Sequence, residues 1–90
     1  MNAKEQLLEY ARKHHKYNIN LSDEDLVGKM IVEGAVIERT PSSITVARIS
    51  RQGNQIVINE TTKTNTFETV EHKTVEIETV TTAEIARINL

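Results

Sequence analysis

The chain reads as an α+β domain, in which one N-terminal helix is followed by about five short antiparallel strands forming a small, strongly bent sheet or barrel. Three observations predict this. Apolar residues recur at helical spacing near the start, at Ala3, Leu7, Leu8 and Ala11. From Lys29 onward the pattern changes to short stretches rich in Val, Ile and Thr. Turn residues separate those stretches at Thr40-Pro41-Ser42-Ser43 and Arg51-Gln52-Gly53-Asn54. At 90 residues there is room for a single domain, 1–90.

The elements follow in order. Asn2 with Glu5 three residues later forms a capping-box signal, so a helix is expected over 3–16. Ser22 opens a second capping signal, with Asp23, Glu24 and Asp25 in its first turn. Only Leu26 and Val27 precede Gly28, which predicts one helical turn over 22–27. The β region then occupies 29–90. Its first strand runs through Met30 to Ile37, with Gly34 at a bulge or a close backbone approach. Ile44 to Ile49 is the second strand, and Gln55 to Glu60 the third, joined by the Gly53 hairpin. Residues 61–82 contain nine threonines, a density that favours extended chain. Within them Lys63-Thr64-Asn65 reads as a turn and Phe67 onward as a fourth strand. Thr81 or Thr82 caps a short turn through Glu84, and Ala86 to Leu90 closes as a last strand.

Val27-Gly28-Lys29 leading into a strand, Gly34 within it, and Ile85-Ala86-Arg87-Ile88 at the end resemble the Sm-like small β-barrel proteins. The resemblance implies a helix capping a five-stranded bent barrel, with subunits joined by edge strands into rings. This chain lacks that family's aspartate–asparagine pair and its arginine–glycine motif. The family's RNA-contacting residues therefore do not carry over.

Composition narrows the classes of function. There is no cysteine, which removes disulfides and thiolate metal sites. The only aromatic residues are Tyr10, Tyr17 and Phe67, so the core rests on aliphatic side chains and is thin. A thin core and long β-edges together predict a homo-oligomer joined through those edges. The first ten residues carry Lys4, Glu5 and Glu9, unlike a signal peptide, and no apolar run reaches about 18 residues. A cytoplasmic location away from membranes is expected. The formal charge of −2 opposes a strongly basic nucleic-acid binder, so nucleic acid is not the favoured partner.

No constellation suggests catalysis. His14 and His15 are adjacent on a helix and point about 100° apart, so they do not chelate one metal. His72 lies in a strand-like stretch between Glu71 and Lys73. The basic run Arg12-Lys13-His14-His15-Lys16, between Tyr10 and Tyr17, reads first as a helix C-terminus that prefers cations. Glu76 and Glu78 share a strand face and read as solvent-facing guards against aggregation. Three separated glycines make no phosphate-binding loop. An enzyme is not expected, nor any metal or cofactor.

The best candidate site is a basic island. Between Glu38 and Glu60 there is no acidic residue, yet Arg39, Arg48 and Arg51 lie there with Gln52, Asn54 and Gln55. Arginine presents a fork of donors matched to phosphate or carboxylate, and the amides add hydrogen bonding. Arg48 shares a strand face with Ile44 and Val46, so it needs an acidic partner, a ligand or an open rim. A structural ion pair with a glutamate from 60–78 is the competing reading. The function this favours is a non-enzymatic binding protein of bacterial or phage type that sequesters or blocks a partner. That partner is a host protein or a small anionic molecule such as a nucleotide. An Sm-like nucleic-acid module and a structural subunit of a larger assembly are the alternatives.

Overall fold

The computed structural model describes all residues, Met1–Leu90. Helix α1 spans Ala3–Lys13, and the Asn2 side chain accepts the Glu5 N–H at 2.8 Å, as the capping signal requires. It stops three residues short of the expected Lys16. The reason is local: the His14 N–H turns back to the Ala11 carbonyl, and the following residues are bonded elsewhere. The His15 ring bonds the Asp23 carboxylate at 2.7 Å, and the buried Asn18 amide donates to the Val36 carbonyl at 2.8 Å. The loop between the helices is thereby tied both to the second helix and to the sheet.

Helix α2 spans Asp23–Val32, which corrects the single turn expected at 22–27 and the strand start at Lys29. The Ser22 hydroxyl accepts the Asp25 N–H at 3.1 Å, but the helix runs through Gly28 instead of ending there. Glycine in a helix interior costs about 1 kcal/mol. Leu26 and Met30, one turn apart and fully buried, each contribute more than that, at roughly 1.5–3 kcal/mol. The stop comes at Gly34, whose φ of +85° is left-handed and whose N–H bonds the Lys29 carbonyl at 2.9 Å. Gly34 is therefore the end of a helix rather than a strand bulge. It is also a close approach, since a Cβ there would lie 2.8 Å from a Val46 methyl.

Four strands follow: β1 Ala35–Thr40, β2 Ser43–Gln52, β3 Gln55–Val70 and β4 Lys73–Asn89. They form one antiparallel sheet in chain order, β1-β2-β3-β4. The sheet is open and has four strands, so the five-stranded, barrel-like expectation is corrected while the α+β class holds. The difference lies in 61–82. Lys63-Thr64-Asn65 and Thr81-Thr82 are inside strands, and the turn falls at Glu71-His72, both at positive φ. Two consecutive left-handed residues give the twist that a two-residue hairpin needs. Threonine keeps the chain extended throughout and links strands through its hydroxyls. Thr45 bonds Thr62 at 2.9 Å on one face, and Thr61 bonds Thr82 at 3.0 Å on the other.

Both helices lie on one face of the sheet. Leu7 and Ala11 from α1 and Leu26 and Met30 from α2 pack with Ala35, Ala47, Ile49, Ile58 and Ile88 beneath them. At the border of this core the Tyr10 hydroxyl donates to Glu60 at 2.9 Å. Burial, that hydrogen bond and the carboxylate's charge hold the Tyr10 phenol well above its ordinary pKa, in that order of size. The opposite face carries no helix. Strand β2 ends its pairing with β3 at Ser43–Thr64. Beyond that row β3 and β4 continue as a two-stranded arm to the Glu71-His72 turn. The molecule is 56 Å long with a radius of gyration of 16.0 Å, against about 12 Å for a compact chain of this length.

Gly28 and Gly34 should respond to substitution in opposite directions. Gly34→Ala should destabilise by about 1–2 kcal/mol or more from the left-handed backbone alone, before the contact with Val46 is added. Gly28→Ala, whose Cβ meets nothing within 4 Å, should stabilise by about 0.5–1 kcal/mol, both read by urea denaturation. For Tyr10, the neutral phenol is the form the fold favours, so its contribution is complete below about pH 10 and lost as pH rises further. Melting temperatures measured across that alkaline range should fall less steeply for Tyr10→Phe than for the parent.

Candidate anion-binding cleft

The pairing register divides the basic island between the two faces. Arg48 lies on the open face, in line with Ile44 and Val46 along β2 and opposite Asn59 of β3. Arg39 joins that face from β1 as the register partner of Ile44. Arg51 points to the helix side at the far end of β2, where its Nε bonds the Gly53 carbonyl at 2.9 Å and so stiffens its own hairpin. Asn54, in the same turn, accepts the Leu90 N–H on its backbone carbonyl. Gln52 and Gln55 share Arg48's face but are taken up by another arginine.

That arginine is Arg87, which no local motif in the sequence marks. It projects from β4 and pairs with Glu84 at 2.7 Å. Its other donors reach the Gln55 and Gln52 side-chain oxygens at 3.2 and 3.4 Å, and Gln55 in turn donates to Asn89 at 2.9 Å. Arg87 thus spans three strands. Val57, its register partner on this helix-free face, is only 1% exposed. The network covers Val57, so these amides have a structural task and are not free for a ligand.

Arg39 and Arg48 meet a different set of neighbours. They line a cleft of about 540 Å³ together with Tyr17, Val36 and Val46, and with Lys29 and Glu33 from the end of α2. Gly34 forms part of its wall, and the absent side chain there leaves room for the Arg48 stem, 3.1 Å from where a Cβ would sit. The Tyr17 hydroxyl accepts the Arg39 N–H and donates to the Arg39 carbonyl, which closes part of the β1 edge. None of the ion pairs in the protein involves Lys29, Arg39 or Arg48. The competing reading, a pairing of Arg48 with a glutamate from 60–78, is not realised. Three cations against Glu33 leave the cleft with a surplus of two positive charges.

Lys29 is the second residue that sequence reasoning misses. As the start of a strand it would lie outside any site, whereas the helix carries it to the cleft rim. The signal is present in Leu26 and Met30, spaced one helical turn apart with Gly28 between them. The histidines fall elsewhere: His14 stacks near Tyr10 at 4.6 Å between ring centroids, and His72 occupies the arm's turn. Arg12 is held by Asp23 at 3.4 Å and Lys13 lies 3.8 Å from Glu9, so the basic run of α1 is largely paired within the helical layer. Compared with protein-family models, curated proteins and solved structures, the chain matches none.

Arg87 and Arg48 should separate cleanly by stability. Arg87→Ala removes a three-strand bridge and uncovers Val57, and should cost about 1–2 kcal/mol. Arg48→Ala removes no hydrogen bond or ion pair and should stay within about 0.5 kcal/mol of the parent in the same denaturation series.

Proposed function

We propose that the protein is a non-catalytic binding protein whose cleft at the end of α2 holds an anionic group of its partner. The observation that carries this reading is the convergence of Lys29, Arg39 and Arg48 on one cleft with no ion-pair partner for any of them. The three cations outnumber the cleft's one carboxylate, Glu33, and an arriving anion offsets the surplus positive charge. Two guanidinium forks suit the oxygens of a phosphate or carboxylate, and Tyr17 adds an aromatic wall at the rim. Sequestering or blocking such a partner needs no chemistry beyond this.

Calorimetric titration with inorganic pyrophosphate and with a nucleoside triphosphate tests the reading. Arg48→Glu and Arg39→Glu should each weaken binding about tenfold or more, since reversal replaces an attraction with a repulsion. Arg51→Glu, on the other face, should leave it unchanged. A shallow dependence on salt is expected for a single nucleotide, whereas a steep slope with a polynucleotide would favour the nucleic-acid reading. Binding that survives both Arg39→Glu and Arg48→Glu would remove the cleft from consideration.

A further inference from the structure

The arm supplies what the cleft lacks. Residues 65–80 contain Glu68, Glu71, Glu76 and Glu78 against the single cation Lys73, so the arm is acidic where the body's open face is basic. Of these carboxylates Glu76 and Glu78 lie on the same side of the sheet as the cleft, whereas Glu68, the register partner of Val75, faces the other way and Glu71 sits in the turn. Arg39 and Ile44 share a row with Lys63 and Val80, and the alternation carries that face outward to Asn65–Glu78 and Phe67–Glu76. Glu78 is held by Lys63 of its own chain at 3.7 Å, but Glu76 has no cation within ion-pair distance. Phe67, beside Glu76, is 68% exposed, an unusual position for one of only three aromatic residues.

We propose that the open sheet face is self-complementary, and that the acidic arm of each copy lies across the basic open face of a second copy in a two-fold dimer. The dimer rests on the anion-site reading of this face and names its occupant. Turning one such sheet onto another about a two-fold axis sets arm over body twice, because each molecule carries both surfaces on one plane. Glu76 then faces Arg48 and Arg39 of the second copy, while Phe67 meets the half-buried strip formed by Val36, Ile44 and Val46. The arm also gains a layer. A two-stranded ribbon is marginal alone in water, and this one runs past every strand and helix that supports the body. Neither surface needs rearrangement, since the arm already projects and the face already lies open.

The test is light scattering across a micromolar concentration series, with pyrophosphate titrations on the same samples. The parent should measure as two chains. Glu76→Lys and Arg48→Glu should each weaken pairing about tenfold or more. An equimolar mixture of these two variants should recover two-chain particles. In the mixed pair the lysine introduced in one chain meets the glutamate introduced in the other, and the second contact is of the parent kind. Phe67→Ser should also weaken pairing, and it should leave pyrophosphate binding intact because Phe67 lies outside the cleft. A parent that stays a single chain yet binds pyrophosphate overturns the dimer and leaves the cleft standing. A parent that pairs but binds no pyrophosphate leaves the dimer standing and removes the free-anion reading. Pairing that ignores both charge reversals overturns the proposal.

Discussion

Two helices of eleven and ten residues are each about 16 Å long, while β3 and β4 run for sixteen and seventeen residues, or about 55 Å. The helical layer therefore covers less than half of the longest strands, on one face only. The rest of the structure follows from that mismatch. The core gathers where helices and sheet overlap and ends near the Thr45–Thr62 row, with Tyr10 and Glu60 at its border. Past that row the chain keeps its strands but has nothing to bury them against, threonine and glutamate predominate, and Phe67, Val70, Val75 and Ile77 stand exposed.

The uncovered face is handled in two ways along its length. At the end distant from the arm, Arg87 with its glutamine partners lies across Val57 and turns an open apolar position into a buried one. Nearer the arm no such lattice exists. Val36, Ile44 and Val46 remain half-buried among Arg39, Arg48 and Lys63. Gly34 connects the two sides of the molecule, because its left-handed turn ends α2 at the cleft rim and lets the chain enter β1 directly against Val46 and Arg48. A side chain at that position would press on Val46 and on the Arg48 side chain as well as strain the backbone. The same residue thus shapes the fold and gathers the charge.

Local signals in the sequence are legible and distributed ones are not. Asn2 with Glu5 marks the start of α1, and Pro41 and Gly53 mark their turns, because each needs only a few neighbours. The end of α2 is hidden because Gly28 and Gly34 look alike in sequence, though only the second has a left-handed backbone. In 61–82 threonine stands on both faces, so no alternation marks where strands begin or end, and the fixed points are register and the Glu71-His72 turn. Period two correctly places Arg48 with Ile44 and Val46, and it equally implies that Arg51 faces away. Grouping the arginines by nearness in sequence overrides that parity. Lys29 and Arg87 are invisible as site or network members because their partners are supplied by tertiary packing.

The helical layer thus confines the buried core to one half of the sheet, and the proposed dimer supplies the arm with the cover it lacks. Residue-resolved hydrogen exchange at low and at high protein concentration is the decisive measurement. Amides of Val57, Ile58 and Ile88 should exchange slowly at both concentrations, while those from Thr66 to Ile77 should exchange fast when dilute and slow when concentrated. An arm as protected as the core in dilute solution would contradict this dependence, since its strands would then be stable without cover.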